Sequence, residues 1–118
     1  MKFLCLAYGA AHDWKALDRA TQDTLLEQDA RLRDRGALMA AVEPSVTTVR
    51  ASDGTPVVTP EPFVPHDVPL AGLSIIEADS LDEAVRLVAG TPCAVAGGAI
   101  EILPILMIND AEWKTRHD

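Results

Sequence analysis

An α+β fold of the ferredoxin-like βαββαβ type, an antiparallel sheet with two helices on one face, is predicted for this chain by three observations. Apolar runs of strand length recur along it, and two polar segments carry apolar residues at helical spacing. The order along the chain is strand, helix, strand, hairpin arm, strand, helix, strand. The length of 118 residues suits one compact domain, since domains commonly run to about 100–150 residues.

Each element has its own signal. Residues 3–8 form an apolar run closed by Gly9, the length of a buried strand. His12, Asp13 and Trp14 make a turn before a polar segment over residues 18–35. Within it Leu25, Leu26, Ala30 and Leu32 recur at helical spacing, and Gly36 stands where helices usually stop. Residues 37–42 are small and apolar and end at Glu43 and Pro44, a second strand. Two β-branched runs, residues 46–50 and 56–59, flank Asp53 and Gly54, a hairpin signal.

Pro60, Pro62, Pro65 and Pro69 follow, and prolines at that density cannot supply the donors of a central strand. That segment is expected to be a fixed, irregular loop. Residues 70–78 return to strand, with Gly72 inside. Ser80 and Glu83 have capping-box spacing, and Leu81, Ala84, Val85 and Val88 then give one apolar helix face, ended by Gly90 and Pro92. After Gly97 and Gly98, residues 99–105 make the last strand, with Glu101 alternating outward. The domain is expected over residues 1–106, with residues 107–118 a polar tail or short docking helix containing Trp113. A sheet with helices on one face leaves the other apolar and open, and a second copy of the chain is the usual cover.

Composition narrows the function. Aromatic residues are only 4%, so the core must be mostly Val, Leu, Ile and Ala. The formal charge of −8, from 18 acidic and 10 basic residues, repels phosphate backbones and argues against a nucleic-acid partner. Arg31, Arg33 and Arg35 alternate with Asp29 and Asp34 and read as a solvated helix face. Cys5 and Cys93 belong to no ligand-spaced motif, and an unpaired pair of this kind suits the reducing cytoplasm. The N-terminus lacks the apolar length of a signal peptide, and no segment approaches the roughly 20 residues of a membrane span.

The order and spacing of several pieces resemble the YCII-related family in its DGPF branch. They are Tyr8-Gly9, Trp14, Gly36, Glu43-Pro44 and the Thr47-Thr48-Val49-Arg50 strand with its hairpin. Pro62-Phe63, Leu70-Ala71-Gly72, Leu81-Asp82-Glu83-Ala84 and the closing run from Gly98 to Ile105 complete the set. The resemblance implies a dimeric α/β barrel, with two ferredoxin-like subunits joined through their sheets and a pocket between sheet and helices. It implies no settled reaction; no cofactor is expected. The DGPF box reads Pro60-Glu61-Pro62-Phe63 here, so its Asp-Gly turn is replaced. A His that one branch of the family carries in the first helix is Leu25 here, with Asp34 near the acidic position of that pair.

Candidate chemistry gathers at two places. Glu61, His66 and Asp67 share the proline-rich loop with Phe63, and a carboxylate beside an imidazole can orient it for general acid–base work. The same residues read equally as an exposed polar pair that starts a turn before Pro69. His12 and Asp13 follow Tyr8 at the end of the first strand, where side chains reach a pocket mouth. Asp13 also reads as the cap of the Trp14 turn, and His12 as solvent-exposed. Tyr8, Glu43 and Phe63 complete the expected ligand pocket. His12, His66 and His117 have no metal-ligand spacing, so no metal site is expected.

Two function classes follow. One is a homodimeric small-molecule-binding or regulatory module; the other is a cofactor-independent lyase, isomerase or hydrolase using a His–carboxylate pair. The missing helix His and the lack of a nucleophile–base motif favour the first.

Overall fold

A computed structural model describes residues 1–109. Its strands are β1 (Lys2–Tyr8), β2 (Leu38–Ala41), β3 (Thr48–Arg50), β4 (Val57–Thr59), β5 (Leu70–Glu77) and β6 (Ala99–Pro104). Its helices are α1 (Ala11–Lys15), α2 (Arg19–Asp34), α3 (Leu81–Val88) and α4 (Pro92–Val95). The main sheet has the order β2-β5-β1-β6, with every neighbouring pair antiparallel. With the β3–β4 arm set aside as an insertion, this is the ferredoxin-like strand order that the sequence predicts.

Period-two alternation along β1 sorts the sheet into two faces. Phe3 and Cys5 are buried and lie opposite Ile76 and Ser74 on β5. This rank packs with Leu32 of α2 and with Ala84 and Val88 of α3 to form the core. The intervening rank faces away from the helices. Leu38, Ile75, Leu4 and Leu103 form one row across the four strands, and Ala40, Leu73, Leu6 and Glu101 form the next. Leu38 and Leu103 remain 60% and 44% exposed, so nothing described in the chain covers this apolar face.

The helices start and stop for local reasons. Asp18 caps α2 by accepting a 2.7 Å hydrogen bond from the Thr21 amide, which holds its carboxyl below the usual range. At the other end the Ala37 and Gly36 amides donate to the Leu32 and Arg33 carbonyls, a Schellman stop that needs the positive φ of Gly36 (94°). Ser80 caps α3 by accepting from the Glu83 amide at 3.1 Å. Arg35 reaches Glu83 at 3.5 Å between the two helix ends, a partly exposed pair of small weight.

Two elements differ from the sequence expectation. The turn at His12 is a short helix, α1, whose cap position is Ala10; Asp13 lies inside it and is not the cap. Five residues are too few to display a period, so α1 leaves no pattern. Pro92 does not simply terminate α3, which ends at Val88; it occupies the first turn of α4, where its missing amide hydrogen costs no bond. The expected tail lies largely outside the described residues. Among the described residues no helix is long and apolar enough to cross a membrane.

Gly98 is where β6 closes onto β1. A side chain there would collide with the carbonyl oxygen of Tyr8 and stand 2.9 Å from that of Cys93. Gly98→Ala is therefore expected to lower stability by about 1–3 kcal/mol. Urea unfolding followed by circular dichroism should show a lower midpoint with an unchanged slope.

Candidate functional site

The helix-facing rank of the sheet changes size along its length. At one end Phe3 and Ile76 fill the space beneath the helices. At the other, Ala41, Gly72 and Ala7 lie side by side, and residues this small leave the space unfilled. Two neighbouring pockets occupy this end, an outer and an inner chamber, and Ala71, Pro92 and Cys93 line both.

The outer chamber, about 350 Å³, has apolar walls that include Trp14 of α1, Val42, Pro44, Leu70 and Pro92. Cys93 packs closely against Gly9 here; a Cβ on Gly9 would come within 2.9 Å of its sulfur. The inner chamber, about 360 Å³, is bounded by Cys5, Met39 and Ile100 and by the polar groups of Asp29, Arg33, Ser74 and Thr91. These volumes fall within the range of about 300–1,000 Å³ usual for small-molecule sites.

Burial sets the protonation of this lining. Asp29 is half-buried, and burial pushes its carboxyl upward against the opposing charge of Arg33 one turn along α2. Burial also raises the Cys93 thiol, with the Asp29 charge adding to the effect. The Cys5 thiol rises for the same reason, partly offset by a hydrogen bond with Ser74. Both cysteines are free and hold their protons, so neither is an activated nucleophile.

Asp29 is the residue that sequence reasoning missed. Its charge alternation with the arginines places it on a solvated helix face, yet only Arg31, Arg33, Asp34 and Arg35 of that run are exposed. A signal was present: Asp29 stands four residues after Leu25 and three before Leu32, the two buried leucines of α2, and so shares their stripe.

The residues expected to carry chemistry lie elsewhere. His66 and Asp67 are exposed and line an open groove of about 720 Å³ with Glu43, Pro44 and Pro62. Val42, Pro44, Pro69 and Leu70 belong both to this groove and to the outer chamber, so they form the wall between them. The Glu61 side chain is exposed, while its backbone carbonyl accepts a hydrogen bond from the Thr48 hydroxyl. Glu61, His66 and Asp67 therefore do not converge on an enclosed cavity. Phe63 is 65% exposed, with the Arg50 guanidinium 5.2 Å from its ring centre.

Tyr8 closes β1 on the open face. Its hydroxyl hydrogen-bonds the Glu101 carboxylate, and this bond, then burial and the Glu101 charge, pushes the phenol upward. The His66 ring meets Tyr8 edge-on with centres 5.4 Å apart. His12 and Asp13 approach within 3.3 Å, but the His12 side chain is 84% exposed. Among the described residues no group of three or more His, Cys, Asp or Glu side chains is placed to hold a metal ion.

Comparison with known proteins gives three findings. A family model of the YCII-related domain matches residues 1–114. No curated protein matches the chain. Among solved structures, 5-chloro-2-hydroxyhydroquinone dehydrochlorinase (TftG) from Burkholderia phenoliruptrix AC1100, in complex with 2,5-dihydroxybenzoquinone, is similar at 19% identity. The match covers 89% of this chain and 93% of that one, with a TM-score of 0.46. A likeness of this size bears on neither ligand nor reaction.

The Asp29 carboxyl has a definite pH consequence. Its folded pKa lies above its unfolded value, so the protonated form favours folding and the benefit is lost as pH rises through the folded value. Asp29→Asn is expected to melt a few degrees higher than wild type near neutral pH. The gap should close toward about pH 3, below the ordinary carboxylate range. Thermal melts across pH check this; a variant less stable than wild type near neutral pH would mean that the Arg33 attraction outweighs burial.

Proposed function

Because the chain belongs to the YCII-related domain family, we propose that it is a homodimeric small-molecule-binding domain whose ligand occupies the cavity between sheet and helices. The observation that carries this reading is the outer chamber, an apolar recess of about 350 Å³ beside Trp14 that lies next to a second pocket with polar groups. Apolar walls with a few converging polar groups are the usual make-up of a ligand site. On this reading residues 1–106 are the binding domain and residues 107–118 lie outside it.

The second copy covers the open sheet face. Its leucine and isoleucine rows form an apolar surface that water-exposed monomers rarely keep. A two-fold pairing, in which the same patch meets itself, is the commonest arrangement of such copies. Two free, protonated cysteines fit a reducing compartment such as the cytoplasm.

A second reading draws on one contact. His66 lies edge-on to Tyr8, whose hydroxyl is held by Glu101, beside a groove that also contains Asp67 and Glu43. In an acid–base enzyme of the lyase, isomerase or hydrolase kind, His66 would be the proton carrier and Asp67 its partner, with Glu61, His12 and Asp13 as further candidates.

A thermal-shift screen against a metabolite panel separates the two readings. A compound that stabilises wild type should stabilise His66→Ala equally and lose its effect on Trp14→Ala. The opposite pattern, loss in His66→Ala alone, would transfer the site to the groove. For the dimer, sedimentation at micromolar concentration should give twice the chain mass. Leu4→Lys, which alters the open face and leaves the core intact, should give a folded monomer. A monomeric wild type overturns the pairing.

A further inference from the structure

We infer that the β3–β4 arm with its proline-rich loop, residues 42–67, docks on a second copy of this chain, and that the partner's hold on it fixes one wall of the outer chamber. This deepens the dimer reading above and rests on it.

The arm has no core of its own. Every residue from 42 to 67 is exposed except Thr48, which is half-buried. β3 and β4 pair only with each other, over three residues each, and an isolated hairpin is marginal in water. The arm is nonetheless rich in large apolar side chains. Val46, Val49, Val57, Val58, Phe63 and Val64 are all exposed, the three valines of the hairpin by 59–61%. Apolar surface gathered in this way marks an interaction site.

Pairing sorts the ribbon into two faces. Val49 lies opposite Val58 on one, while Thr48 and Arg50 lie opposite Thr59 and Val57 on the other. The second face is partly used within the chain: the Thr48 hydroxyl donates to the Glu61 carbonyl, and the Arg50 guanidinium sits over the Phe63 ring. The face of Val49 and Val58 is the one left open.

The occupant follows from where the arm is rooted. It leaves the main sheet after Ala41 and rejoins it at Leu70, at the Tyr8 end. Tyr8 alternates with Leu4 and Leu6 on the open side of β1, and the His66 ring meets it with centres 5.4 Å apart. The loop therefore borders the apolar sheet face, and the two surfaces are continuous. That face is also too small to hold a dimer unaided. Its two full rows offer eight side chains, and the part-rows beside them, Lys2 with Glu77 and Tyr8 with Ala99, offer four more. Stable interfaces engage roughly 20–30 residues a side, and the arm supplies the difference.

The root of the arm is pocket wall. Val42 and Pro44 line the outer chamber, and the Val42 amide donates to the Ala71 carbonyl at 2.9 Å. Val46, Thr47, Pro60 and Pro62 line the groove on the other side of that wall. A partner that holds the hairpin limits the freedom of the wall, so pairing and occupancy of the chamber favour each other.

Nuclear Overhauser contacts in a dimer mixed from isotope-labelled and unlabelled full chains test the docking. The Val49 and Val58 methyl groups are expected to show contacts between copies. Val49→Asp combined with Val58→Asp should raise the dimer dissociation constant at least about tenfold in sedimentation, with circular dichroism unchanged. Leu26→Asp, at an exposed position on α2, should leave it unchanged. In the valine variant the Val42 amide should lose protection from hydrogen exchange. In a wild type that pairs and is split by Leu4→Lys, the absence of arm contacts between copies overturns the inference and leaves the dimer reading intact. So does a dissociation constant that ignores the valine changes, or one that Leu26→Asp shifts equally. Unchanged protection of Val42 overturns the link to the chamber wall. A monomeric wild type overturns the dimer reading, and the inference with it.

Discussion

The alternation of side chains along β1 is the constraint on which the rest of the structure depends. β1 sits between β5 and β6, so each of its residues has a neighbour on both sides that points the same way. Phe3 and Cys5 therefore recruit Ile76, Ser74 and Ile102 into a single rank under the helices. Leu4 and Leu6 recruit Leu73, Ile75 and Leu103 into the opposite rank. A slip of one residue would exchange the ranks and put the core leucines of α2 over the wrong face. The two faces then have different fates: one closes a core, and the other is left apolar and available for pairing.

The cavity is a consequence of residue size within the first of those ranks. Helices cannot sink onto small residues where large ones elsewhere in the same rank hold them up. Phe3 and Ile76 set the height of the helix layer, and Ala7, Gly72 and Ala41 fail to reach it. The gap is then roofed by α2 through Asp29 and Leu32 and walled by α4 through Pro92 and Cys93. Polar groups in such a gap are held by a rigid scaffold. That distinguishes Asp29, on a sixteen-residue helix, from His66 and Asp67, on a loop fixed mainly by its prolines.

The groove and the cavity are neighbours divided by a thin wall of Val42, Pro44, Pro69 and Leu70. The proline-rich loop thus has a structural duty whatever chemistry its polar residues perform. The Gly9 amide donates to the Pro69 carbonyl at 3.0 Å, which ties the loop to the end of β1 beside the outer chamber. Loop position and pocket shape are linked through that bond.

Element order, the α3 cap and the glycine stop after α2 were legible in the sequence, because period, capping residues and glycine stops act over a few neighbouring residues. The stripe of Leu25 and Leu32, the Ser80 cap and the proline break are of this kind. Asp29 was not legible in practice, since a carboxylate among arginines reads as a solvated face unless its place on the leucine stripe is weighed. The short helices α1 and α4 span fewer residues than any period needs. By itself the sequence determined an antiparallel α+β domain and the order of its main strands and two longer helices along the chain. Only the tertiary structure decided that small residues from three strands meet in one row beneath Asp29, because that meeting depends on register between segments distant in the chain, which no local pattern encodes.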